Sequence, residues 1–494
     1  MKLRDLLFQI TRYGAVYWAG ELSGRLAGFL LIPLYTRVFL PADFGRLQIL
    51  LALYQLGQMT ADWGLSATFL RWFGLAKTEE QRRQVTTNLI AATLFTSTIS
   101  VGLFLLISKL LSNLLLSSVE YACLVRLVVI TVGLRVSSNI ALTYLRLRER
   151  AASYSVFSLS RTLLSLLLVL YFVLGRRLGI YGILLGEAIA SGVALIIGLF
   201  VLYPALLRRI QRSQLRAYLQ YSIPFFFANL AAFGLLATDK FLLSAFGLAE
   251  ETGFYSLAGK FGLALNVCIL WPFTLVWNPL LFRIVRDEAK EEAQRLVSRV
   301  FTYIFSLLLW AALSLAVFAP ELIDLVAPPA YAPAIKVTPF LILGYVVYGS
   351  YRQLQSGLYI SGKSRAIAGS FALAAALNLV LNILLIPRLG MIGAASATLL
   401  SYIAMAGSIL VAAQRHYPIP YEWQRVSHLL IWSLVLYAVN RLLLPTTGLA
   451  WPATPLKLII LAAYPIGVFG MRILTPGERQ ELARIVTRVA RRLH

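Results

Sequence analysis

Residues 182–203 read GILLGEAIASGVALIIGLFVLY, 22 positions with a single ionisable group, Glu187. A transmembrane α-helix needs about 20 mostly apolar residues, and this stretch supplies them. It is introduced by Arg177, Leu178, Gly179, Ile180, Tyr181 and Gly182. The same turn returns 211 positions later, before another apolar run, as Arg388, Leu389, Gly390, Met391, Ile392 and Gly393.

Walking outward on the same length rule predicts fourteen spans in the 494 residues, near 10–36, 45–71, 87–110, 120–145, 153–174, 182–203, 220–246, 254–280, 299–319, 335–360, 366–386, 392–413, 427–444 and 455–473. The composition agrees: 59% of residues are apolar, 13% are charged and the mean hydropathy is +0.77. A soluble globular domain carries about 25% charged residues, so that class is excluded, and disorder, collagen and a disulfide scaffold go with it. The two cysteines, Cys123 and Cys268, lie in apolar runs and read as inert packing thiols. His416, His428 and His494 have no metal-ligand spacing. The first span is too long for a cleaved signal peptide, carries Glu21 and Arg25, and lacks a small-residue cleavage site.

A net charge of +24 raises the possibility of a nucleic-acid partner, but the positions of the charges argue against it. Lys and Arg alternate in density between successive connections, with 29 of the 45 on one side. The positive-inside rule makes that side cytoplasmic, with an even number of spans and both termini inside. A second echo supports duplication: Tyr13 and Gly45 recur as Tyr221 and Gly253, 208 residues on. Two echoes at nearly equal offsets read as parallel six-span repeats with a cavity between them. The expected organisation is a six-helix lobe over 1–205, a second over 206–418, two further transmembrane helices over 419–474, and a tail helix over 475–494. That tail opens on a capping box at Thr475, Pro476 and Glu478 and continues as a basic amphipathic helix suited to an anionic leaflet.

Ionisable residues within spans usually face a cavity or a partner. In the first span Glu21 and Arg25 are four apart beside a Gly20, Gly24, Gly28 stripe. Arg135, Arg161, Lys260 and Arg352 add cations, against Asp62, Glu187 and Asp239. Arg25, Arg135, Arg161, Lys260 and Arg352 together suit a pyrophosphate, because a guanidinium holds two oxygens at once. Tyr345, Tyr348, Arg352, Gln355 and Tyr359 step by three and four, and the tyrosines and the amide can line a sugar path as readily as form an interfacial belt.

Phe39, Leu40, Pro41, Ala42, Asp43, Phe44 and Gly45, then Tyr221, Ser222, Ile223 and Pro224, then Asp239 with Lys240, Gly253, Phe254 and Tyr255, and the two Arg-Leu-Gly turns, give a pattern over essentially the whole chain. It resembles the polysaccharide-transporter (Wzx-type flippase) branch of the multidrug/oligosaccharidyl-lipid/polysaccharide exporter superfamily. The resemblance implies an all-α polytopic protein with two six-helix lobes in a V, working by alternating access in the bacterial inner membrane. It implies transport of undecaprenyl-pyrophosphate-linked oligosaccharide from the cytoplasmic to the periplasmic leaflet for a surface polysaccharide. A polysaccharide polymerase and a chain-length regulator are the partners implied by the same pathway. Related lipid II flippases bind sodium, and Asp239, Asn378, Asn382 and Thr398 occupy comparable positions here. Asn382 stands where a second carboxylate is expected, so proton coupling, or no coupling ion, remains a rival to sodium. No covalent step or organic cofactor is required, so the chain reads as a transporter and not an enzyme. A lipid II flippase or a drug or metabolite antiporter is the nearest alternative, and a membrane glycosyltransferase or polymerase, or a structural scaffold, the more distant one.

Overall fold

A computed structural model describes residues 31–206, 210–444 and 454–470. Among these residues the secondary structure is helical, with no strand. A lipid-exposed backbone has no water to satisfy it, and a helix satisfies its own polar groups. Eight described helices are long and apolar enough to cross a membrane: Glu79–Leu106, Ala151–Gly175, Gly179–Ala205, Ala249–Asp287, Lys290–Val317, Ala334–Ile360, Ser364–His416 and Trp423–Leu443. Glu79–Leu106 shows how such a helix starts. Thr78 caps it, forming a reciprocal capping box with Gln81, and Glu79 and Glu80 sit in its first turn, where their charge complements the helix dipole.

Two expectations change. The run 45–71 is not one helix: Pro41–Asp62 ends, Trp63 and Gly64 adopt left-handed φ values of 49° and 75°, and Leu65–Leu75 begins. Apolar content continues across that break, which is why hydropathy alone joins the two. Cys123 and Cys268 are free and exposed instead of packed, because a face turned to lipid is as apolar as a core.

The repeated turns share one backbone feature. Gly179 has φ 58° and Gly390 has φ 56°, and at Gly390 the helical run Ser364–His416 breaks in two. Only glycine takes such values without strain. The other repeat pair, Gly45 and Gly253, meets face to face. A Cβ on Gly45 would overlap the Ala249 carbonyl, and one on Gly253 would overlap that of Pro41.

By its contacts the chain forms two compact units. One runs to Ser256 and takes in Ala375–Ala394, and the other comprises Leu257–Ala374 and the residues from Ala395 on. Arg212–Ala245, the start of the second sequence repeat, therefore packs in the first unit. Tyr218 lies 5.1 Å from the Trp72 ring, Asn88 Nδ2 donates to Gln214 Oε1 at 3.0 Å, and the Ser244 hydroxyl donates to the Leu115 carbonyl. The grouping by contact thus differs from the expected boundary at 205/206, which marks a sequence duplication. The expected tail helix 475–494 lies outside the described residues.

In the second unit, Thr454–Gly470 is tied to its neighbours by polar contacts. Tyr464 Oη donates to the Ser306 carbonyl at 3.0 Å and Trp310 Nε1 to that of Leu461 at 3.3 Å. Lys457 Nζ meets Glu321 Oε1 at 2.6 Å, with the two residues only 1% and 4% exposed. Removing one partner of such a pair strands the other charge. Glu321→Ala should therefore destabilise the protein by about 3–5 kcal/mol, read as a fall in thermal unfolding temperature in detergent, whereas Glu321→Leu combined with Lys457→Met should recover most of it.

Candidate functional site

Three intramembrane charges of the first unit, Arg135, Arg161 and Glu187, lie in one network. Ala122–Leu147 carries Arg135 and Asn139, and Ala151–Leu170 carries Arg161 and Ser165. Each pair is spaced by four, so its members share one helix face. Glu187 comes from Gly179–Leu202 and Tyr54 from Pro41–Asp62. Arg135 Nη1 lies 2.9 Å from Glu187 Oε1. Ser165 Oγ donates to Glu187 Oε2, and Tyr54 Oη donates to Oε1 at 3.4 Å. Arg161 Nη1 donates to Asn139 Oδ1 at 2.8 Å.

The two arginines are used differently. Arg135 is half-buried and already paired with a carboxylate. Arg161 is buried, and its Nε has no hydrogen-bond partner among the described residues. A guanidinium has five N–H donors, and an unfilled buried one is costly. With two cations and one carboxylate among the described residues, the network has a surplus positive charge. Asn139 also lines a cavity of about 230 Å³, along with Gln58, Asp62, Ser66, Thr93 and Asn229. Asp62 there accepts from Ser66 Oγ at 2.7 Å.

Arg135 and Arg161, two of the five expected pyrophosphate residues, thus belong to one network, and Arg25 lies outside the described residues. Lys260 and Arg352 are half-buried in the second unit. The sequence shows Glu187 only as an opposing charge; its pairing with Arg135 across 52 residues is a tertiary fact. Asn139 and Ser165 carry no charge to mark them in the sequence, although each lies four residues beyond an arginine.

In the second unit the tyrosines form a cluster. Tyr345 and Tyr348 meet edge to face at 6.4 Å, and Tyr348 also contacts Tyr351 at 6.2 Å and Tyr402 at 5.5 Å. Gln355 joins the helix Ala334–Leu354 to Ser356–Ile360, its N–H donating to the Tyr351 carbonyl and its carbonyl accepting from Tyr359 N–H. Gln355 is 3% exposed and its Nε2 donates to the Arg352 carbonyl at 3.1 Å, while Tyr359 is 40% exposed. The second unit also holds a cavity of about 340 Å³, walled by apolar side chains such as Leu313, Phe340 and Leu434, with Lys336 and Arg441 the charged members of the wall.

Of the ion-coupling set, Asp239, Asn378 and Asn382 lie in the first unit and Thr398 in the second, and all four are buried. Asp239 accepts from the Tyr255 hydroxyl and from Lys240 N–H. Asn382 Nδ2 donates to Asn378 Oδ1 at 3.0 Å, and Asn382 Oδ1 is buried without a hydrogen-bond partner among the described residues. An amide oxygen left in that state suits a hard cation.

Residues 10–285 match the family described as polysaccharide biosynthesis protein. No curated protein matches the chain. Among solved structures the fold is similar to that of the lipid II flippase MurJ in an inward closed conformation, with TM-score 0.76 and 14% identity over 93% of this chain and 99% of that one. It is also similar to an inward-facing multidrug resistance MATE family transporter of the MOP superfamily (TM-score 0.62, 14% identity, 82% and 95% covered) and to a mutant Vibrio cholerae MATE transporter (0.55, 19%, 83% and 96%).

Glu187→Gln leaves Arg135 and Arg161 facing each other without their carboxylate. It should destabilise the protein by about 1–3 kcal/mol, and Arg135→Gln in the same chain should restore part of that, as measured by thermal unfolding of the single and double variants.

Proposed function

The chain belongs to the polysaccharide biosynthesis protein family, with the fold of a multi-pass MOP-superfamily transporter, and we propose that it is a flippase for undecaprenyl-pyrophosphate-linked oligosaccharide. The observation that carries this reading is the buried Arg161, with an unfilled Nε donor beside the half-buried Arg135. A pyrophosphate supplies the oxygens this network lacks, and charge-assisted contacts of this kind are roughly twice as strong as neutral ones. Glu187 sets the selectivity: it holds Arg135 until an anion competes for it. Transport then requires only that the lipid be bound with different affinity in the inward and outward states. The apolar cavity bearing Lys336 and Arg441 suits a prenyl chain joined to an anionic head.

The same reading places the protein in a bacterial inner membrane, its basic loops and both termini cytoplasmic, supplying a polymerase and chain-length regulator with substrate. Arg25, Lys260 and Arg352 remain further anion contacts in this proposal, and Tyr345, Tyr348, Gln355 and Tyr359 the sugar-facing groups. Asp239, Asn378 and Asn382, all in the first unit, would hold a sodium ion, with Asn382 Oδ1 the oxygen still lacking a partner among the described residues; a proton at Asp239 is the competing form of coupling.

Purified protein in liposomes should move a fluorescent undecaprenyl-pyrophosphate oligosaccharide across the bilayer. Arg161→Ala should slow this at least about tenfold, equivalent to 1.4 kcal/mol, with partial recovery in Arg161→Lys. Transport of an organic cation in place of the lipid would overturn the reading in favour of an antiporter. Under an imposed sodium gradient, Asp239→Asn should abolish any acceleration seen with the unaltered chain, and an undiminished response would remove Asp239 from coupling.

A further inference from the structure

A separate cavity of about 500 Å³ lies in the first unit, between Leu65–Leu75, the start of Glu79–Leu106 and the start of Arg212–Ala245. Its wall contains four glutamines, Gln81, Gln84, Gln211 and Gln214, and two aromatic residues, Trp72 and Tyr218. Cations are abundant in the neighbouring sequence, at Arg71, Lys77, Arg82, Arg83 and Arg216. None of these lines the cavity, and among the described residues Glu80 is the charged member of its wall. A phosphate site would draw on those cations. A wall of neutral amides, each with donors and an acceptor, instead matches a ligand rich in hydroxyl groups.

The wall is ordered in advance. Gln214 Oε1 accepts from both Tyr218 Oη at 2.9 Å and Asn88 Nδ2 at 3.0 Å. Asn88 Oδ1 in turn accepts from Gln84 Nε2 at 3.1 Å and from Gln211 N–H at 3.0 Å. Gln81 is held by the helix cap, where its Oε1 accepts from Lys77 N–H at 2.8 Å. Side chains fixed before a ligand arrives lose less entropy on binding it. The half-buried Trp72 ring, backed by the buried Tyr218 ring at 5.1 Å, adds aromatic surface of the kind that packs on the C–H face of a pyranose. The Trp72 indole N–H is buried without an acceptor among the described residues, whereas a buried indole usually has one. The volume falls in the range of small-ligand pockets, about 300–1,000 Å³.

We infer that this cavity binds the sugar portion of the lipid-linked substrate at the basic end of the first unit, ahead of translocation. The inference rests on the flippase reading above and adds a sugar site distinct from the arginine network.

The test uses the full chain labelled with 5-fluorotryptophan, in nanodiscs, with the Trp72 fluorine resonance assigned by its loss in Trp72→Phe. Three probes are added separately: undecaprenyl-pyrophosphate oligosaccharide, the free glycan released from it, and undecaprenyl pyrophosphate without sugar. The Trp72 resonance should shift with the first two and not with the third. In liposomes Gln211→Ala, at an exposed position, and Gln84→Ala should each raise KM for the lipid-linked glycan about tenfold with kcat little changed. A Trp72 shift with the sugar-free lipid would overturn the assignment in favour of a lipid or anion site. Active transport with a silent Trp72 resonance, or unchanged KM in Gln211→Ala, would also overturn it. If the unaltered chain moves no lipid-linked glycan, the flippase reading fails; the free-glycan titration still reports on the cavity by itself.

Discussion

A charge placed inside a hydrocarbon layer must find its counterpart within the protein, and much of the architecture described above follows from that constraint. Arg135 finds Glu187, Arg161 finds Asn139, and Lys457 finds Glu321. Each pairing joins two helices whose lipid-facing surfaces have no hydrophobic reason to associate, since lipid tails are as apolar as leucine. The polar contacts therefore help decide which helices are neighbours. The Lys457–Glu321 pair balances one charge with one opposite charge in a buried place, which makes it a fastening. The Arg135, Arg161 and Glu187 network has more positive charge than its carboxylate balances, together with an unfilled donor, which makes it receptive to an anion.

Close backbone approach is the second organising device. Where small residues remove the side chain, helices touch through their main chains, as Gly45 does with Ala249 and Gly253 with Pro41. These two glycines are also repeat mates, so the duplication places like against like at one contact. Gly179 and Gly390 do a different task at equivalent points of the two copies, turning the chain through a left-handed conformation just before a long apolar helix.

The first unit separates two kinds of polar surface. Around Arg161 lie Arg135 and Glu187 with the Asn139 amide; around Trp72 and Tyr218 amides predominate, with Glu80. A lipid-linked glycan has two corresponding parts, an anionic linkage and a neutral polyhydroxylated head. The division of the protein's polar groups parallels the two parts of the substrate proposed above.

The sequence by itself determined that the chain is helical and membrane-embedded, where most of its helices run, and where the repeated turns fall. Those features depend on local quantities: the length of an apolar run, the density of Lys and Arg between runs, and a glycine where φ must be positive. It also marked Arg135, Arg161, Asp239 and Asn382 as polar groups in apolar surroundings. Only the tertiary structure decided what each of them faces. Arg135 and Glu187 are 52 residues apart and Lys457 and Glu321 are 136 apart, and no local pattern specifies how a helix is rotated about its axis or which helix lies beside it. The break at Trp63 and Gly64 and the placement of Arg212–Ala245 in the first unit were hidden for the same reason. Hydropathy measures how apolar a segment is, whereas side-chain packing and hydrogen bonding between distant segments choose its partners.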